Sequence, residues 1–217
     1  FIFLNMIIDQ INWSVDKYIL GRISGTKDVA VYGVGAQLVS MVITFATAIS
    51  AVFSPRVNKI AAEKRKNILD EFTNLMIKVG RIQLVVIGLI ISGLVFFGEY
   101  FITHIYATKD YKEAYYVVVI MVIPTIVPLI QTIGVEIQRA VNKHKFRSII
   151  YLFMAIVNIL ISILLAYKFG IVGAAMGTAF SHVVANGIIM NLYYNYKIKL
   201  NIVKFWKSIM KMMKGII

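Results

Sequence analysis

Six long apolar stretches follow one another along the chain, with polar connections between them. They cover residues 1–20, 30–53, 82–106, 114–138, 149–167 and 171–194. Each is close to the length of about 20 residues that a helix needs to cross a hydrocarbon core of about 30 Å. Stretches this long with so few charges are typical of transmembrane helices. The pattern therefore predicts an all-α integral membrane protein with six transmembrane helices.

The Lys and Arg residues of the connections alternate between few and many. Seventeen of the 23 basic residues lie in three segments, 54–81, 139–148 and 197–214, and five lie in the other connections. The remaining one, Lys17, is inside the first stretch. Because segments rich in Lys and Arg stay in the cytoplasm during insertion, the pattern predicts that both ends of the chain are cytoplasmic.

The composition limits which classes of partner the chain can bind and which kinds of reactive site it can contain. A net charge of +13 would indicate a nucleic-acid partner for a soluble protein, but 59% of these residues are hydrophobic. Anionic lipid of the cytoplasmic leaflet is the simpler partner, and no nucleic acid is expected. The absence of cysteine excludes disulfides and thiolate sites. Since no phosphate-binding loop, zinc-binding helix motif or catalytic cluster occurs either, we expect neither an enzyme nor a bound metal or organic cofactor.

The first stretch carries a polar stripe. Four polar residues are spaced at i, i+4, i+7 and i+11, which places them on one face of a helix. They are Asn5, Asp9, Asn12 and Asp16, and Lys17 adjoins them. An Asp at the centre of a lipid-facing helix costs about 2.5–3.5 kcal/mol, so this face is predicted to avoid lipid. We interpret it as part of a substrate or ion pathway; the alternative is a structural clamp between helices, built from Asp–Lys or Asp–Asn pairs.

The fourth stretch contains two prolines near its middle. Pro124 and Pro128 each lack a backbone N–H donor and crowd the preceding turn, so a kink or break is predicted. In transporters such broken helices lie at gates and binding sites, although proline also occurs in ordinary membrane helices. At the end of the stretch Glu136 and Arg139, at i and i+3, are expected to form an ion pair.

Isolated polar residues occur in three other stretches. Gln37 belongs to a stretch rich in small residues, where close packing is the favoured role and a contact with the lumen is the alternative. Glu99 is interpreted as an acid that reaches the membrane surface, with a gate or ion ligand as the alternative. Asn158 is the strongly polar residue at the centre of the fifth stretch.

The sixth stretch combines a packing motif with a polar stripe. Gly173 and Gly177 form a GxxxG pattern, which is typical of closely packed membrane helices. Farther along, Thr178, His182 and Asn186 follow at i, i+4 and i+8 on one face. A hydrogen-bonding role between helices is favoured for His182 over a proton relay.

Two amphipathic segments lie outside the six stretches. Residues 56–79 are predicted to form a cytoplasmic helix in the membrane interface, with a solvated helical loop as the alternative. The tail, residues 197–217, is predicted to be a separate interfacial helix on anionic lipid, attached to the six-helix region 1–196. The beginning of a further transmembrane helix is disfavoured there by four lysines. They are Lys204, Lys207, Lys211 and Lys214.

Several short motifs resemble those of a known family. Residues 16–22 (DKYILGR), 31–35 (VYGVG) and 53–56 (FSPR) are similar to the seventh and eighth helices of the Wzx-type polysaccharide flippases. Residues 170–175 (GIVGAA), with Ser181, resemble the start of the last common helix of that family. These flippases belong to the multidrug/oligosaccharidyl-lipid/polysaccharide superfamily. The resemblance implies one lobe of a two-lobe, MATE-like transporter, so we expect this chain to be the C-terminal lobe and an N-terminal lobe to precede it.

The resemblance also implies a function: translocation of lipid-linked oligosaccharides across the bacterial cytoplasmic membrane by alternating access between the lobes. On this basis Lys17 would meet the pyrophosphate or an acidic sugar, and Asp9 would couple transport to H⁺ or Na⁺. Because Lys17 is the one basic residue embedded in the stretches, much of a cationic cavity would have to come from the other lobe. Two alternatives stay open, a cation-coupled multidrug exporter of the same superfamily and a non-transporting membrane scaffold.

Overall fold

The described part of the protein is helical. A computed structural model describes residues 14–63 and 67–215, and no β-strand occurs within them. The helices are α1 (described over residues 14–23), α2 (Thr26–Ala62), α3 (Ile68–Phe101), α4 (Ala114–Leu129), α5 (Ile133–Ala140), α6 (Lys145–His182), α7 (Met190–Tyr193) and α8 (Ile202–Lys214). Short π- and 3₁₀-helical turns adjoin them at Ile102–Tyr106, Lys109–Tyr111, Val183–Ile189 and Tyr194–Ile198.

Several of these helices have the length and composition of membrane spans. Among the described residues, the helical segments Thr26–Ala62, Ile68–Tyr106 and Lys145–Ile198 are long and apolar enough to cross a bilayer. The pair Ala114–Leu129 and Ile133–Ala140, bent by 46°, adds a fourth if it is one broken span. An all-α, multi-pass membrane protein is therefore confirmed, whereas the count of six spans stays a prediction. Most of the predicted first span, 1–20, lies outside the described residues.

The longest of these segments folds back on itself at Gly170. The backbone there has φ 55° and ψ −131°, a conformation that is not helical. Ser162 Oγ lies 3.4 Å from the Ala174 carbonyl oxygen, and Tyr151 donates to Asn186 at 2.6 Å. Because residues at increasing distances on either side of Gly170 meet, α6 consists of two antiparallel arms. The π-helical turn Val183–Ile189 and α7 continue the second arm, and the two arms so defined correspond to the predicted stretches 149–167 and 171–194.

Glycines let these helices approach closely, as the sequence predicted for the GxxxG pattern. A Cβ on Gly173 would overlap the Leu165 carbonyl oxygen, and one on Gly177 would overlap Ser162. In α2, a Cβ on Gly35 would lie 2.8 Å from the Cβ of Val117 in α4. α4 lies at the centre of the bundle and packs against α2, α3, α6 and the π-helical turn Val183–Ile189.

The three basic segments of the chain lie at the same end of the bundle. Lys143 donates to the Lys197 carbonyl oxygen at 2.6 Å, and Tyr193 donates to the Lys143 carbonyl oxygen at 3.0 Å. Lys204 donates to the side chain of Asn74 at 2.9 Å, which links the tail to the segment 54–81. This arrangement agrees with the alternation of charge along the sequence. The assignment of this end to the cytoplasm, and with it the cytoplasmic location of both termini, stays a prediction.

The prediction of a separate amphipathic helix over residues 56–79 is wrong, because these residues belong largely to the ends of α2 and α3. α2 continues through Pro55 to Ala62, and α3 begins at Ile68. The apolar residues of this region are buried inside the protein instead of facing lipid, because they pack between the ends of α2 and α3, α5 and α8. They include Val57, Ile60, Phe72, Leu75 and Met76.

Candidate functional site

A cavity lined by both polar and apolar groups opens at the end of the bundle that carries the basic segments. Its volume is about 640 Å³, and α2, the α4–α5 break and both arms of α6 line it. Hydroxyl, amide, imidazole and guanidinium groups contribute to the wall beside apolar ones. The polar lining residues are Thr44, Thr47, Ser50, Thr125, Gln131, Thr132, Glu136, Arg139, His144, Arg147, Tyr151, His182, Asn186 and Tyr194.

Arg147 is fixed at the cavity wall by residues of both arms of α6. Its guanidinium donates to the Tyr151 hydroxyl, lies 4.5 Å from the centre of that ring, and reaches Asn186 Oδ1 at 3.4 Å. The Tyr151 hydroxyl in turn donates to Asn186 Oδ1 at 2.6 Å. Hydrogen bonding and the cation–π contact together restrict the guanidinium to one position. The cavity therefore has a positioned cation suited to anions with several oxygens.

The second guanidinium of the wall is paired. Arg139 donates to Glu136 at 2.8 Å, as the i, i+3 spacing predicted, and Ser54 donates to the other oxygen of Glu136 at 3.0 Å. With two guanidiniums and one carboxylate, the formally charged lining is net positive.

The bend between α4 and α5 confirms the break that the two prolines predicted. The non-helical residues 130–132 follow Pro128, which itself lines the cavity, and the two helices diverge by 46°. One side of the break is held by Gln83, a fully buried side chain of α3. Gln83 Nε2 donates to Thr132 Oγ1 at 2.5 Å and to the Ala46 carbonyl oxygen at 2.9 Å. Ser50 and Thr132 share a hydrogen bond of 2.6 Å beside them.

The opposite side of the break is held by an amide pair. Gln131 donates to Asn191 Oδ1 at 2.8 Å, and Asn191 donates back to Gln131 Oε1 at 3.2 Å. Trp206 of α8 donates to the same Asn191 oxygen at 3.0 Å. Both adjacent side chains of the break, at 131 and 132, are thus fixed by other helices.

A second polar site lies away from the cavity, where α1, α2 and the two arms of α6 meet. Asp16 Oδ2 accepts hydrogen bonds of 2.5 Å from Tyr32 and from Thr178. Asn158 Oδ1 lies 3.4 Å from Thr178 Oγ1 and accepts from Ser162 at 3.2 Å. Asp16 is 1% exposed, and no described residue donates to its second oxygen, Oδ1.

The chemistry of this Asp16 site suits a proton or a small monovalent cation. The oxygen atoms that could bind an ion there belong to carboxylate, amide and hydroxyl groups, which hard cations prefer as ligands. One carboxylate balances one positive charge, and the described residues contain no group of three or more metal-ligating His, Cys, Asp or Glu side chains.

The described residues of the polar stripe in the first stretch lie in different environments. Asp16 is buried in the site just described, but Lys17 is exposed, and neither residue lines the cavity. Gln37 of α2 is also exposed and away from the cavity wall. The other members of the stripe lie outside the described residues. They are Asn5, Asp9 and Asn12.

The stripe of the sixth stretch is divided as well. Thr178 joins the Asp16 site, Asn186 contacts Arg147, and His182 lies in the cavity wall. No described residue forms a hydrogen bond with His182, so the bonding role favoured for it is not seen here. Asn158 is buried between helices and belongs to the Asp16 site.

Glu99 belongs to the opposite end of the bundle. Its carboxylate pairs with Lys112 at 3.1 Å and raises the pKa of that lysine by hydrogen bonding and by charge. Both side chains are about half exposed, which agrees with an acid at the membrane surface. Glu99 does not line the cavity.

Sequence reasoning missed Arg147 and Gln83. Arg147 lies within the basic connection 139–148 and is not distinguished there from its neighbours, although its i, i+4 spacing from Tyr151 is the signal of a guanidinium–aromatic contact within a helix. Gln83 stands at the start of the third stretch and has no polar partner at helical spacing toward the stretch interior. Its partners come from α2 and from the break, which sequence spacing does not bring together.

Comparison with known proteins places the chain in a family. No curated protein and no solved structure is significantly similar to it. The family model described as MatE matches residues 2–164, which is more than half of the chain. This match, which agrees with the long apolar helices, shows that the chain belongs to the MatE family of membrane transporters, within the multidrug/oligosaccharidyl-lipid/polysaccharide superfamily.

Proposed function

We propose that this chain forms one lobe of an alternating-access transporter that moves lipid-linked oligosaccharides across the bacterial cytoplasmic membrane. The observation that carries the proposal is the cavity of about 640 Å³ with Arg147 positioned in its wall. A guanidinium binds phosphate oxygens in a bidentate manner. Hydroxyl and amide groups such as those of Thr47, Thr132 and Asn186 can exchange hydrogen bonds with sugars.

The outer surface of the bundle supports a lipid-linked substrate. Large apolar side chains of α3, including Leu89, Phe96 and Phe97, are between 70% and 80% exposed. Contact of such a surface with acyl chains is favourable, and its contact with water is unfavourable. A substrate with a polar head in the cavity and an apolar chain in the bilayer suits both environments.

We propose further that the Asp16 site couples transport to an ion. A proton or Na⁺ at Asp16 Oδ1 would neutralise a buried carboxylate that holds α1, α2 and the second arm of α6 together through Tyr32 and Thr178. Binding or release would then change the stability of that junction. The coupling role expected for Asp9 is a separate proposal, since that residue lies outside the described residues.

Replacement of Arg147 tests the substrate assignment. Arg147→Gln keeps hydrogen-bonding capacity but loses the charge and the bidentate fork. Because hydrogen bonds to charged groups contribute about 1.5–3 kcal/mol, we expect export of lipid-linked glycan to fall about 10- to 150-fold at unchanged expression. Lys168→Gln, at the exposed end of the first arm of α6, is the control and should export normally. Normal export by Arg147→Gln would contradict the proposal.

A cation-coupled multidrug exporter is the second candidate, and Glu136 is the observation in its favour. This carboxylate lines the same cavity beside apolar Leu129 and Val135, a combination suited to an organic cation. The two functions predict opposite results. A drug exporter would lose resistance in Glu136→Gln and keep it in Arg147→Gln, whereas a glycan flippase would depend on Arg147.

A further inference from the structure

The helix α8 presents three different faces. Ile202, Phe205 and Ile209 are buried against the bundle. At 100° per residue, a second strip next to this face is apolar but exposed, and a third strip contains only lysines. The exposed apolar strip is Val203, Met210 and Met213, beside half-buried Trp206. The lysine strip is Lys204, Lys207, Lys211 and Lys214, all exposed.

These two outer strips match the surface of an anionic bilayer. An apolar strip beside a cationic strip allows a helix to place one side against acyl chains and the other against head groups. Each basic residue near an anionic membrane surface contributes about 1 kcal/mol of attraction. α8 carries no acidic residue that would oppose this attraction.

The bundle-facing side of α8 contacts the α4–α5 break. A Cβ on Gly80 would lie 2.8 Å from the Phe205 ring and 2.9 Å from the Ile130 carbonyl oxygen, so α8 and the break meet at the same glycine of α3. Trp206 donates to Asn191, which is paired with Gln131 in the break. Asn191 is oriented for this by its own donation to the Gly187 carbonyl oxygen at 2.9 Å.

We propose that α8 binds anionic phospholipid head groups and that this binding holds the α4–α5 break in the conformation described above. The connection runs from the lysine strip through Trp206 and Asn191 to Gln131. Lipid that fixes α8 on the bundle stabilises the bonded arrangement of the break, and loss of the lipid releases it. The lipid acts on the cavity wall through α8 in this way whichever substrate the cavity takes.

Fluorescence of Trp206 tests the lipid surface. The chain has two tryptophans, so Trp13→Phe leaves Trp206 as the single reporter. The protein is placed in nanodiscs of phosphatidylcholine with a fixed fraction of acyl-brominated phosphatidylglycerol or acyl-brominated phosphatidylcholine. We expect stronger quenching by the brominated phosphatidylglycerol. The excess should vanish when Lys207, Lys211 and Lys214 become Gln, and it should persist when Lys27, Lys109 and Lys168 do. Equal quenching by the two lipids would overturn the proposal.

Hydrogen exchange tests the connection to the break. Amides of residues 130–135 should exchange several-fold more slowly in nanodiscs with phosphatidylglycerol than in phosphatidylcholine alone. Trp206→Phe keeps an aromatic ring but loses the N–H donor, so it should remove the protection by lipid. Gln131→Met cuts the same connection at its other end and serves as the independent variant if Trp206→Phe folds poorly. If lipid still slows the exchange of these amides in either folded variant, the connection through Trp206, Asn191 and Gln131 is refuted. It is also refuted if lipid does not slow their exchange in the wild type.

Discussion

Replacement of Gly173 by Ala tests the antiparallel packing of the two α6 arms. The added Cβ would overlap the Leu165 carbonyl group and would lie 2.8 Å from the Ala166 nitrogen. All of these atoms belong to backbone, which cannot rotate away as a flexible side chain can. The arms must therefore move apart locally, which also strains the contact between Ser162 and Ala174.

The expected cost follows from two opposing effects. Overpacking of a tightly filled site costs about 1–3 kcal/mol, and the backbone overlap here puts Gly173→Ala at the upper end of that range. Against it, Ala favours a helix over Gly by about 0.5–1 kcal/mol. The net loss is then about 2 kcal/mol, which corresponds to a fall in melting temperature of about 4–8 °C for a chain of this size.

The assay is thermal unfolding in detergent micelles, followed by circular dichroism, with a matched glycine as control. Gly93 of α3 is exposed and has no described atom within 4 Å of an added Cβ. Gly93→Ala gains the helix preference without the overlap and should melt at the wild-type temperature or slightly above it. If Gly173→Ala melts no lower than Gly93→Ala, the two arms do not pack as described.

Three further substitutions have defined expectations in the same assay. Gly170→Ala forces a side chain into the backbone conformation with φ 55° and should cost about 1–3 kcal/mol; a wild-type melting temperature would place the reversal elsewhere. Gln83→Met removes the donor to Thr132 and Ala46, so it should lower the free energy of unfolding by about 1–3 kcal/mol and speed hydrogen exchange at the α4–α5 break. Unchanged exchange there would mean that Gln83 does not hold the break. Tyr115→Phe loses the 2.7 Å bond to the Val95 carbonyl oxygen and should cost about 1 kcal/mol, whereas no loss would mean that this bond is replaced by solvent.

Local features of the chain were predictable because they depend on spacing and on residue type. The break after Pro128 follows from missing backbone donors, and the Glu136–Arg139 pair follows from the helical repeat. The close packing at Gly173 and Gly177 follows from the absence of side chains. The break and the ion pair involve residues close together in the sequence, so their separation already determines their geometry. The glycine spacing indicates a face for close packing, but not the helix that packs against it.

Features that join distant segments were not predictable in the same way. Asp16, Tyr32 and Thr178 come from three different stretches, and no periodicity indicates that they meet. The apolar face that includes Val57 and Phe72 also has two physical solutions, since burial against lipid and burial against other helices require the same pattern. The structure chooses the second because α5 and α8 cover that face.

The reversal at Gly170 has a consequence for how the protein reaches its membrane. Two apolar arms that meet side by side can enter the bilayer together as a preformed unit, in which some polar groups, such as those of Tyr151 and Asn186, already bond to each other. On the predicted topology, the segment that must then cross the bilayer is the short turn between the arms, whose one charged residue is Lys168. Translocation of a single lysine is a small barrier beside the transfer of two long apolar segments out of water. This part of the chain is thus suited to insert during synthesis without waiting for the helices that precede it.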